Sequence, residues 1–92
     1  SMAVVPTASA SRYLQQVCKH WSHKFDVKFD AQQGYIPLPM GSVDLSAGDM
    51  ALTVTCTVAE GGDMSRMQRV VAEHLNRFAF REGELVFNWQ VG

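Results

Sequence analysis

A chain of 92 residues predicts a single domain, large enough to bury most of an apolar core but with little surplus stability. Hydrophobic residues make up 47% and charged residues 18%, an ordinary globular composition, and no apolar run approaches the roughly 20 residues of a membrane span. A net charge of −1, with no RNA-binding aromatic signature on the predicted strands, argues against a nucleic-acid partner, as the lack of a long apolar run argues against a membrane.

No basic segment followed by an apolar stretch opens the chain, so the expected setting is cytoplasmic. Ser1 before Met2 reads as an expression scar outside the fold, and residues 1–8 as a flexible or extended N-terminus of a domain covering 1–92. From Ser11 to Phe25 the apolar residues Leu14, Val17, Cys18, Trp21 and Phe25 recur at spacings of three and four, with Tyr13 at the margin of the stripe. That spacing predicts an amphipathic helix capped by Ser9 or Ser11. Phe25, Val27 and Phe29 then alternate with Asp26, Lys28 and Asp30, the period of a strand, before a turn at Gly34.

Ile36, Leu38 and Met40 alternate with Pro37 and Pro39. Residues two apart aim their amides the same way, so both missing donors lie along one strand edge. The pattern predicts an edge strand, or one paired only on its other side. Val43, Leu45 and Ala47 form a hairpin with Leu52, Val54, Cys56 and Val58, whose intervening residues Thr53, Thr55 and Thr57 face water. Asp63 caps a second helix with Met64, Met67, Val70, Val71, Leu75 and Phe78 inward, and Leu85, Phe87, Trp89 and Val91 suggest a final strand. The expected fold is α+β: two helices packed on one face of a mostly antiparallel five-stranded sheet, in the order α-β-β-β-β-α-β.

Charge is divided between the layers. Arg12, Lys19, Lys24, Arg66, Arg69, Arg77 and Arg81 in the helical segments face only Glu73 and Glu82, whereas the remainder holds Lys28 against seven acids. A cationic helical layer admits an anionic partner. Cys18 and Cys56 sit among apolar neighbours and are expected to be buried reduced thiols rather than a disulfide.

At about 100° per residue His74 falls on the apolar face of the second helix. It reads either as an imidazole bonded to a backbone carbonyl, Tyr13 or Asn88, or as a ligand or proton carrier in a pocket. His20 and His23 are three apart on the first helix and supply two metal ligands, short of the three or four that a zinc site uses. Ser22 beside them lacks a strained turn or an orienting acid, and Gly61-Gly62 lacks phosphate-loop spacing, so an enzyme is unsupported, and one would need His74 or His20 as general base in a concave pocket. The nearly uncharged threonine row on the open sheet face admits a homodimer.

The run Ser11-Arg12-Tyr13-Leu14-Gln15-Gln16-Val17-Cys18-Lys19-His20-Trp21-Ser22-His23-Lys24, with His74-Leu75-Asn76-Arg77-Phe78-Ala79-Phe80-Arg81-Glu82, resembles a bacterial domain-of-unknown-function family, number twenty-two eighteen. The resemblance implies small bacterial proteins, sometimes found beside or joined to siderophore-interacting flavoprotein reductases, and hence a link to iron uptake. It directs attention to Tyr13, His20, His23, Lys24, His74, Arg77 and Arg81 as candidates for holding a small anionic ligand or a partner protein, with no cofactor unless His20 and His23 hold a metal ion.

Overall fold

The computed structural model describes residues 1–90, with elements in the order β1 (Met2–Pro6), α1 (Ala10–Trp21), β2 (Lys28–Phe29), β3 (Gln33–Leu38), β4 (Gly41–Ala47), β5 (Ala51–Val58) and α2 (Met64–Phe78), closed by a 3-10 turn over Phe80–Glu82. The five strands form one antiparallel sheet in the spatial order β1-β5-β4-β3-β2. It is the expected α+β two-layer architecture. Ala3, Val5, Ile36, Val43, Leu45, Leu52, Val54 and Cys56 project from one sheet face into the core, where α1 and α2 cover them.

The fifth strand is N-terminal. Its alternation is short: Ala3 and Val5 are buried while Met2 and Val4 are exposed, and residues 2–6 pair along β5. Ser1 joins this ladder, its carbonyl accepting from the Cys56 amide at 2.7 Å and its ammonium donating to the Cys56 carbonyl at 3.0 Å. The C-terminal run Leu85–Gln90 meets the sheet by a single bridge, in which Met2 and Gln90 exchange backbone hydrogen bonds of 2.8 and 2.7 Å. Its first residue is diverted, because the Leu85 amide donates to Asn76 Oδ1 at 2.7 Å and ties the segment to α2. Val91, assigned to the expected last strand, lies outside the described residues.

α1 starts at Ala10 with Ser9 at the cap position, although the Ser9 side chain makes no capping hydrogen bond, and its C-terminal boundary moves inward. The helix ends at Trp21, where the Ser22 amide caps Cys18 and the Ser22 hydroxyl donates to the Lys19 carbonyl at 2.7 Å. The alternation from Phe25 onward yields only Lys28 and Phe29 as strand, paired with Tyr35 and Gly34. Pro37 pairs with Ser42 of β4 beyond the end of β2, so its missing donor faces no strand, as expected for a proline paired on one side. α1 presses close on the sheet at Gly34, where a Cβ would stand 2.7 Å from Cys18 Sγ. Asp63 caps α2 as predicted, its carboxylate accepting from the Arg66 amide at 3.1 Å.

Cys18 and Cys56 are free and buried, and burial pushes both thiols up to about 11. They behave as small apolar side chains. No helix is long and apolar enough to cross a membrane among the described residues.

Candidate functional site

The candidate residues converge on the seam where α1 and α2 pack side by side, in two groups at opposite ends. At four-residue spacing Arg12, Gln16 and His20 form the edge of α1 along this seam, and His74 and Phe78 form the edge of α2. His20 meets His74 and Phe78, while Arg12 and Gln16 share a cleft with Phe78 and Arg81, so the two helices run in opposite directions.

At the first end, the His20 ring centroid lies 5.4 Å from that of His74 and 6.0 Å from Phe78. The His74 ring lies 4.5 Å from that of Trp21, which is buried and forms the floor. Nδ1–H of His74 donates to the Val70 carbonyl at 2.7 Å, the backbone partner expected among the alternatives, and not Tyr13 or Asn88. That bond fixes the tautomer and leaves Nε2 as an acceptor when the ring is neutral. His20 is exposed, yet its pKa lies below the usual histidine value: desolvation is the largest cause, followed by the positive fields of His74, Arg77, Lys24 and His23. Four cationic or protonatable side chains, two from α2 and two from the turn after α1, therefore act on His20.

His23 and Lys24 stand in the turn after α1, because the helix has already ended at Trp21. His23 thus loses the helical register with His20 that its spacing suggested. Among the described residues no group of three or more His, Cys, Asp or Glu side chains is gathered to hold a metal ion. A metal on His20 and His23 would have to complete its coordination from water or a partner.

At the other end, Tyr13 is 4% exposed and its hydroxyl donates to Glu82 Oε2. Thr7 Oγ1 donates to the same carboxylate at 2.9 and 3.1 Å. The Tyr13 pKa is raised, first by the Glu82 hydrogen bond and then by burial, with the negative charge of Glu82 adding to both. This carboxylate ties β1's exit, α1 and the 3-10 turn together. Tyr13 is consequently a structural anchor whose hydroxyl is already engaged. Beside it a cleft of about 270 Å³ is lined by Arg12, Tyr13, Gln16, Phe78, Phe80 and Arg81. Arg81 is therefore separated from the histidines by Phe78, which borders both ends. The sequence marked Arg12 only as part of the cationic helical layer and did not single out Gln16 or Phe80, although the 12-16-20 spacing on α1 carried the signal for Arg12 and Gln16.

A larger hollow of about 490 Å³ lies on the open sheet face against Lys28, Tyr35, Asp44, Thr53 and Thr55. It contains none of the candidate residues.

A two-layer α+β domain with a cationic, aromatic-floored helix seam is thus the class that fold and geometry define. The chain belongs to the family described as an uncharacterized protein conserved in bacteria (DUF2218), whose pattern matches residues 2–90. It is similar to PA4090 from Pseudomonas aeruginosa, solved by NMR: 33% identity, a TM-score of 0.74, and coverage of 95% of this chain and 92% of that one. Among curated proteins, none matches the chain.

Proposed function

We propose that the domain is a non-enzymatic binding module that accepts a small anion or an acidic partner group at the His20–His74 end of the helix seam. The observation that carries the reading is the pair of imidazoles 5.4 Å apart, contributed by different helices, with Arg77, Lys24 and His23 acting on the same position. Like charges gathered in this way repel one another, and an anion among them relieves that repulsion while accepting charge-assisted hydrogen bonds. Trp21 and Phe78 supply an apolar floor that keeps part of the ligand dry.

The resemblance to proteins found beside siderophore-interacting reductases makes an anionic ferric siderophore the first ligand to try, with an accessory role in iron metabolism. Titration of the protein with ferric siderophores and with inorganic phosphate tests the reading. Binding is expected to tighten as pH falls through the depressed pKa of His20, and to be lost in the His20→Gln/His23→Gln double variant. Unchanged binding in that variant would sink the proposal.

A second reading is self-association through the open sheet face, favoured by the exposure there of Met2, Val4 and Tyr35.

A further inference from the structure

The cleft at the Tyr13 end has a chemistry of its own. Two guanidinium groups, Arg12 from α1 and Arg81 from the 3-10 turn, line it together. The neighbouring acid, Glu82, has its carboxylate engaged by Tyr13 and Thr7, and among the described residues neither guanidinium has a hydrogen-bond or ion-pair partner. Two cations share a concave space against one carboxylate whose oxygens are already bonded, so the cleft carries surplus positive charge with unspent donors.

The walls are aromatic. Phe78 is half-buried, and Phe80 is 71% exposed, the second most exposed large apolar side chain described after Met50 at 74%. Folding gains little from Phe80 in this position, and the cost of its hydration is recovered only when something apolar covers it. The Arg81 guanidinium stands 5.7 Å from the Phe80 ring centroid, so cation and ring are presented together. The anchor formed by Tyr13, Thr7 and Glu82 fixes the turn that carries both, so the cleft is built before any ligand arrives.

We propose that this cleft binds an aromatic carboxylate: a single planar ring seated against Phe78 and Phe80, with its acid group taken between Arg12 and Arg81 and the Gln16 amide beside it. A volume of about 270 Å³ has room for a one-ring ligand. A bare phosphate would satisfy the arginines but leave both phenylalanine walls wet. The site does not use the histidines; it shares only Phe78 with the other end, and its Arg12, Phe80 and Arg81 are its own.

Titration of the full chain with benzoate, cyclohexanecarboxylate and inorganic phosphate, followed residue by residue in amide NMR spectra, tests it. Benzoate is expected to bind saturably, with shifts centred on Phe78, Phe80 and Arg81, and more tightly than the other two probes. Arg12→Gln and Arg81→Gln should each weaken it by about tenfold, the loss of one charge-assisted partner. Phe80→Ser should weaken benzoate and leave phosphate unchanged, while His20→Gln/His23→Gln leaves benzoate unchanged. Every substituted position is exposed, so these variants keep the fold. Absence of saturable shifts, shifts confined to the histidine end or the open sheet face, or phosphate or cyclohexanecarboxylate binding as tightly as benzoate would each overturn the proposal.

Discussion

The two helices have similar amphipathic patterns but unequal stations. In its 12 residues α1 buries Ala10, Tyr13, Leu14, Val17, Cys18 and Trp21, whereas the 15 residues of α2 bury only Met67, Val71 and Leu75. α1 lies across β2 through β5, and α2 rests on β5 and on α1. Periodicity sets which side of a helix turns inward, while its place over the sheet sets how much of that side is covered. α1 is the keystone; α2 completes the core at its margin and leaves the flank on which the candidate sites are built.

Truncation at the keystone should have the largest effect. Leu14 is fully buried, and Leu14→Ala should lower the free energy of unfolding in urea by about 2–5 kcal/mol. Val70→Ala, at a half-buried position of α2, should cost about 1 kcal/mol or less. Equal losses would abolish the distinction between the helices.

The next effect concerns the tie between the helices. Tyr13→Phe keeps the ring and removes its hydrogen bond to Glu82, which Thr7 still holds, so the expected loss is about 1–2 kcal/mol. Amide exchange should accelerate at the 3-10 turn and the end of α2 before it does in α1. Uniform acceleration would show that the seam opens as one unit with the core.

The smallest effect is a pH slope. The His20 pKa is lowered in the folded chain, so the unfolded chain binds the proton more readily. Stability from this source is present above the unfolded value of about 6.5 and is lost as pH falls through the depressed folded value. His20→Gln should flatten the fall in unfolding midpoint across that interval. A slope that survives the substitution belongs to other groups.

Most of the fold was legible because each element carries its own period. The three- and four-residue spacing in α1 and α2, the threonine alternation of β5 and the Asp63 cap each specify a local conformation that tertiary packing then uses. The exceptions are places where a distant contact overrides a local pattern. Leu85, Phe87 and Trp89 alternate like a strand, yet Asn76 captures the Leu85 amide, and the sheet edge they would occupy is met only at Gln90. Residues 2–6 are too short and too mixed to declare themselves without β5 as a partner. The site was legible as a set of residues but not as a grouping. His74 and His20 do meet, whereas Arg81 joins Arg12 instead, because the Tyr13–Glu82 tie turns the chain after α2 away from the histidines.

The bridge between Met2 and Gln90 sets the two ends of the described chain side by side on one sheet edge. A short linker joining them would span almost no distance, and new ends opened in the exposed turn at Gly48–Met50 would leave the backbone ladders intact. Residues 2–90 are therefore suited to circular permutation, with the new ends placed at that turn.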